Sequence, residues 1–255
     1  MALFAAFWAL PMLRLATLPA SQGWPAYAAV LTEPRYLRSL LQTTGLAITV
    51  TAATLVLAGG VGLFVGRERF AGRRALLAVL TLPLSFPGVI VGFFVILIGG
   101  RQGPLASWTE AWFGHAWSLA YGLPGLVMAY LYFSLPRAIG AFAAAAERLD
   151  PQLEEAARSL GAGRWPIARD VWLPGLVPTA IAAGGMVFAT AMGAFGTAFT
   201  LASRFEVLPI TIYNEFTNHA NFALAAALSM ALGLMTWGVL FFARRFGAAT
   251  LAAAA

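Results

Sequence analysis

Apolar residues occupy this chain in long runs, and polar residues collect in the short intervals between them. A helix needs roughly 20 predominantly apolar residues to cross the hydrocarbon core of a bilayer. The runs that approach this length are Ala2–Leu18, Leu40–Gly66, Ala75–Gly100, Gly122–Phe142, Leu176–Thr200 and Phe222–Ala243. The pattern therefore predicts an all-α integral membrane protein with six transmembrane helices in a single domain covering 1–255. Pro11 and Arg14 interrupt the first run. It lacks the basic n-region of a signal peptide, so it is expected as a retained span. No internal repeat is evident, and the alanine-rich tail is the one low-complexity segment.

The longest polar interval reads LEEAARSLGAGRWPIARDVWLP, from Leu153 to Pro174. Asp150 suits an N-cap, Pro151 the first helical position, and Glu154 and Glu155 the positive end of the helix dipole. Gly161 is a natural stop. These signals predict a helix of about three turns, too short to span, with Ala156, Ala157 and Leu160 on a small apolar side. A second segment then leads through Trp165 and Trp172 to Leu173-Pro174, forming a helix–turn–helix platform beside the bilayer.

Charge placement orients the chain. Arg67, Arg69, Arg73 and Arg74 follow the second run; Arg148, Arg158, Arg164 and Arg169 follow the fourth; Arg244 and Arg245 lie in the tail. The opposite intervals hold Arg35, Arg38, Arg101 and Arg204. The positive-inside rule places the first group, both termini and the Leu153–Pro174 platform in the cytoplasm.

Composition agrees: 60% of residues are hydrophobic and 10% charged, against about a quarter charged in soluble domains. The net charge of +6 sits between apolar runs, so topology explains it and no nucleic-acid partner is expected. All 16 basic residues are arginine. Without lysine the chain can form neither a Walker A loop nor a lysine Schiff base. With no cysteine, thiol catalysis and thiolate metal sites are excluded too.

Pro83, Pro87-Gly88, Pro124 and Pro136 interrupt the third and fourth runs, and proline is tolerated in lipid only where protein or water satisfies the freed carbonyls. In the fifth, Gly185, Ala189 and Gly193 recur every four residues as a helix-packing face. No Asp or Glu lies well inside any run. Glu206 and Glu215 lie near the outer surface, with Tyr213 and Phe216 able to add cation–π contacts; a solvated loop or a contact with a binding protein is the preferred reading of this stretch. His115 and His219 fall in separate loops and read as surface residues, with no metal site. Trp8, Trp24, Trp108, Trp112 and Trp117 lie near run ends, where indoles anchor at the interface.

The polar stretch also carries a spaced pattern: Glu155-Ala156-Ala157, three residues, Gly161, nine residues, Val171, one residue, Leu173-Pro174. This resembles the EAA signature of ABC importer permeases, with valine in place of isoleucine. RYLRSLLQTTGLAITVTAATLVLAGGVGLFVGRERFAGRR resembles the start of the core of type I importers of the MetI-like superfamily. LTLPLSFPGVIVG and ASRFEVLPITIYNEF resemble the branch serving polyamines, ferric iron, thiamine, sulfate and molybdate, with spermidine/putrescine-type subunits nearest.

The resemblance implies the type I permease fold, with a cytoplasmic coupling-helix loop at about 143–175. It implies that Glu154, Glu155, Ala156, Ala157, Ser159, Leu160 and Gly161 engage a dimer of separate ATP-binding subunits, which would hold ATP and Mg; the chain itself is not an enzyme and binds no cofactor. It implies a second permease subunit, identical or homologous, and a periplasmic or lipoprotein substrate-binding protein. Met192, Gly193, Phe195 and Gly196, with Tyr213 and Glu215, become candidates for the translocation pathway. The expected cargo is a polyamine, with ferric iron, thiamine, sulfate or molybdate as alternatives. A membrane enzyme would need buried acid/base pairs or a nucleophile–histidine arrangement. An ion-coupled carrier would need intramembrane carboxylates and usually an inverted repeat. The sequence offers neither set.

Overall fold

The computed structural model describes residues 2–202 and 205–253, and these are helical or loop, with no strand among them. Arg204 lies outside the described residues. The helices are α1 (Ala2–Thr17), α2 (Trp24–Thr32), α3 (Pro34–Arg67), α4 (Arg73–Thr81), α5 (Gly88–Gly99), α6 (Pro104–Phe113), α7 (Leu123–Arg148), α8 (Pro151–Ser159), α9 (Arg164–Ile167), α10 (Leu173–Gly193), α11 (Phe195–Leu201), α12 (Leu208–Thr217) and α13 (Phe222–Ala253).

Five segments are long and apolar enough to cross a membrane: Pro34–Arg67, Gly88–Phe113, Leu123–Arg148, Arg164–Gly193 and Phe222–Phe246. The expected sixth, α1, is a helix of 16 residues, about 24 Å at 1.5 Å per residue and short of a 30 Å hydrocarbon core. Two other expected spans are divided. Ala75–Gly100 breaks after Thr81 into a 3₁₀ turn, Leu82–Ser85, and restarts at Gly88. Pro83 and Pro87 lack the N–H groups an α-helix would use there, and Phe86, before Pro87, is extended as a pre-proline residue prefers. The expected Leu176–Thr200 helix stops at Gly193, where Ala194 turns extended and α11 follows. Its start lies earlier, because α9 runs through a π-helical segment, Ala168–Trp172, straight into α10. Pro174 offers no N–H to the Asp170 carbonyl four residues back, so the regular ladder cannot form at that point.

The chain forms two units, with boundaries inside long helices. One comprises Met1–Ile48, Gly88–Ala129 and Thr190–Gly238; the other comprises Thr49–Pro87, Tyr130–Ala189 and Val239–Ala255. In the first, Val30, Leu208, Leu224, Ala227 and Leu228 form an apolar core joining α2, α12 and α13. Hydroxyls fasten α3 to α12: Ser39 Oγ lies 2.8 Å from Thr211 Oγ1, and Leu208 N–H donates to Thr43 Oγ1 at 2.7 Å. Such bonds satisfy polar groups without water, as a low-dielectric setting demands.

In the second unit, Ala58, Ala138, Ile139, Phe142, Ala146 and Leu176 join α3, α7 and α10. Gly62 and Gly66 let α3 lie directly on α7. A methyl group on Gly62 would strike Phe142 Cβ, and one on Gly66 would strike the Ala143 carbonyl and Ala146 Cβ. Backbone cannot yield as a side-chain tip can. Gly66→Val is therefore expected to destabilise the protein by about 1–3 kcal/mol. A melting curve in detergent, followed by size-exclusion recovery, checks this; an unchanged midpoint would contradict the close approach.

Candidate functional site

The polar platform lies in the second unit, between two apolar spans. Its local folding follows from its end residues. Asp150 Oδ1 accepts the Gln152 N–H at 2.9 Å, Pro151 opens α8, and Gly161 closes the turn at φ 83°. That φ lies in the left-handed region, which a β-branched side chain resists. The Ala162 N–H reaches back to the Ala157 carbonyl at 3.0 Å and the Gly161 N–H to Arg158 at 2.9 Å. Carbonyls at the end of α8 are thereby satisfied, in the manner of a glycine-terminated helix.

One side chain ties the platform to the membrane helices. Glu154 accepts hydrogen bonds from an Arg67 guanidinium nitrogen, from Arg158 Nη2 at 2.6 Å and from Trp172 Nε1 at 3.2 Å. Arg67, the last residue of α3, also donates to the Leu149 carbonyl at 3.2 Å. The side chains of Arg67 and Glu154 are only 18% and 15% exposed. Burial pushes the Glu154 carboxyl pKa up. The hydrogen bonds from Arg158, Arg67 and Trp172, with the Arg67 charge, more than reverse that and hold it below its ordinary 4.5. A second pair, Arg73 with Glu147, joins the start of α4 to the end of α7. The end of α3, the start of α8 and the π-helical turn before α10 therefore share one carboxylate.

The opposite side of the platform is open. Glu155, Ala156 and Ser159 are exposed, Ala157 is half-buried, and the Ser159 hydroxyl is turned back on the Glu155 carbonyl at 2.9 Å. Leu153 is 59% exposed, Leu160 89% and Trp165 77%. These are large apolar side chains left bare on an otherwise polar segment. Of the residues expected to engage a partner, Glu154 is the exception: its carboxylate faces inward and holds the platform in place. Sequence reasoning missed Arg67 and Trp172 as its partners, and Leu153 and Trp165 as part of the open surface. The spacing of Glu154 and Arg158, one helical turn apart, was the only local signal of the clamp.

The pathway candidates lie in the first unit. Met192 is fully buried, Gly193 is exposed, and Phe195 and Gly196 are half-buried at the start of α11. Phe195 packs against Phe199 and Tyr213, with ring centres 5.4 and 5.3 Å apart. Glu215 is 3% exposed. Its carboxylate accepts the Tyr36 hydroxyl at 3.0 Å and lies 3.9 Å from Arg35 and 3.3 Å from His219 Nδ1. Glu215 is thus a structural tie between α12 and α3 rather than an open cation receptor, and His219 is exposed, as expected of a surface residue, with its ring beside that carboxylate. Glu206 is exposed.

Several apolar spans, with a polar platform between two of them, define a multi-pass membrane protein. The sequence assigns it further: the chain belongs to the family of binding-protein-dependent transport system inner membrane components, whose profile matches residues 58–249. It is 31% identical over 218 residues to the molybdenum transport system permease protein ModB of Escherichia coli (strain K12), covering 81% of this chain and 92% of that protein. It is 27% identical to the sulfate transport system permease protein CysT of the same organism, covering 93% of this chain and 87% of the relative. A bacterial ABC transporter involved in import of the acidic polysaccharide alginate contains a chain with the same fold, at TM-score 0.82 and 18% identity, covering 96% and 91% of the two chains.

Proposed function

We propose that the chain is one of two permease subunits of an importer for a tetrahedral oxyanion, molybdate or sulfate. The observation that carries the coupling part is the platform itself: α8 is held to α3 by Glu154 on one side and bares Leu153, Leu160 and Trp165 on the other. A dimer of separate ATPase subunits, holding ATP and Mg, would seat on that surface. Because Glu154 joins α8 to the end of α3 and to the turn before α10, a pull on α8 would displace these helices together. Those ATPases must be separate, since this chain has no lysine for a phosphate loop. The platform and both termini face the cytoplasm of a bacterial inner membrane, on the arginine count, and a substrate-binding protein delivers the cargo on the other side.

The relatives support an oxyanion in place of the expected polyamine: those described above are named for molybdenum and sulfate transport. The chemistry of the chain points the same way. A polyamine pathway would be served by open carboxylates, and the candidate Glu215 is already committed to Tyr36, Arg35 and His219. Uptake into proteoliposomes holding the complete complex tests the reading. Molybdate or sulfate is expected to accumulate with ATP and binding protein, and spermidine is not. ATP-dependent spermidine uptake without oxyanion uptake would overturn it.

A further inference from the structure

Arg137 is a charged residue set well inside a long apolar helix, α7. It lies near the middle of that helix, eleven residues before Arg148, about 16 Å along the axis at 1.5 Å per residue. The packed face of α7 at this level is largely apolar. The neighbouring stretch of α3 contributes Ala58, Gly59 and Gly62, which pack on Ala138, Ile139 and Phe142. Two ion pairs of the second unit lie toward the far end of α7, Arg73 with Glu147 and Arg67 with Glu154. Arg137 itself is exposed, and among the described residues no ion pair or hydrogen bond involves it. Ser134, one turn earlier, is buried on the packed side of the helix.

A charge within the hydrocarbon core is costly, and such residues face a bundle interior or a water-filled cavity rather than lipid. Side chains on a helix lean toward its N-terminus, which carries Arg137 away from the charged end of α7 and from an easy reach to that interface. The same face continues through Gly140, Ala141 and Ala144, all exposed, and nothing lies within 4 Å of a methyl group placed on Gly140. This is room beside the guanidinium rather than a packed seam within the chain.

We propose that Arg137 is a transient contact for the transported oxyanion, at a face of α7 that lines the aqueous path. The inference rests on the oxyanion reading above and extends it to a residue. A guanidinium offers a planar fork of N–H donors that matches tetrahedral oxyanions, and its charge persists at any physiological pH. A single such contact, without a cage of further cations, suits a path that the anion must leave as readily as it enters.

The chain has no cysteine, so a single introduced thiol reports on one position. The experiment uses the complete complex in proteoliposomes, with cysteine-free partner subunits, and follows labelled sulfate and molybdate uptake. Arg137→Gln is expected to lower uptake at least about tenfold, as loss of a charged hydrogen bond implies. The thiol from Arg137→Cys is expected to react with membrane-impermeant methanethiosulfonates. The cationic trimethylammonium reagent then restores uptake and the anionic sulfonate reagent does not. Gly140→Cys, in a chain that keeps Arg137, is expected to react likewise, with added sulfate slowing the reaction; it covers the case in which Arg137 variants fail to assemble.

Labelling of both positions only by a lipid-soluble maleimide would make a lipid phosphate the partner of Arg137 and overturn the proposal. Failure of every reagent to reach them would place a protein surface there instead, with the same consequence. Normal uptake by Arg137→Gln would also overturn it. Wild-type complex that moves neither oxyanion would sink the oxyanion reading and this inference together. Oxyanion uptake that ignores position 137 sinks this inference alone.

Discussion

Gly161→Val is expected to lower ATP-driven uptake by more than tenfold while leaving the protein inserted and folded. Gly161 sits at φ 83°, with nothing within 4 Å of an added Cβ, so the substitution fails through conformation rather than crowding. A β-branched residue in the left-handed region costs at least about 1–2 kcal/mol, and the chain escapes that cost by leaving it. The turn then opens, and the Gly161 and Ala162 N–H groups lose the Arg158 and Ala157 carbonyls that now end α8. Leu160, bare at 89% exposure, swings with the turn. A docking surface held on one fixed exit angle loses its shape, while the apolar core at Ala58, Ile139 and Phe142 is untouched. Uptake is expected to fall by more than tenfold, with a melting temperature within a few degrees of wild type. Vesicle uptake together with a detergent melting curve checks both halves.

Glu154→Ala is the second large effect, and it acts on stability as well as on transport. The substitution leaves Arg67, with its side chain 18% exposed, without its carboxylate, and strips Trp172 Nε1 and Arg158 of their acceptor. Breaking one side of a largely buried pair costs about 3 kcal/mol. The loss is expected locally, as faster hydrogen exchange over residues 149–173. Glu154→Gln keeps the shape and an acceptor oxygen but not the charge, so it should fall between Ala and wild type. Acid should imitate it. A carboxylate whose pKa is lowered in the folded protein stabilises fully above its unfolded pKa, and that stability disappears as pH falls through the folded one. The Glu154 carboxyl lies below its ordinary 4.5. Protection of the platform, corrected for intrinsic exchange rates, should therefore match between pH 7 and pH 5.5 and decline only below pH 4.5.

The parts of this account that could be read from the sequence are those governed by residues close together along it. Asp150, Pro151 and Gly161 delimit α8 by capping and backbone freedom alone, and the structure starts and stops the helix where they predict. The long apolar runs likewise gave most of the spans. Where proline intervenes, hydropathy overrides the pattern's own warning: Pro83 and Pro87 were visible as breakers, yet the apolar residues around them suggested one helix where there are two. The clamp was less legible still, because Arg67 and Glu154 are 87 residues apart and only the packing of α3 on α7 brings them together. Glu215 misled for a related reason. An acidic residue in a loop looks solvated until α12 folds against α3 and supplies Tyr36 and Arg35. Cargo was least legible, since the segments shared with the wider importer branch shape the helices and not a cargo site.

The central claim is that a separate ATPase drives this chain through the platform between α7 and α10. Its most direct test is site-specific cross-linking from Leu160→Cys in the otherwise cysteine-free chain, on a tagged complex isolated in gentle detergent, with mass spectrometry of the linked species. The account predicts one dominant cross-link, to a P-loop ATPase that copurifies, and its loss when Gly161→Val is added. A chain that purifies without an ATPase, or an ATPase that copurifies but cross-links only at positions outside the platform, would contradict it.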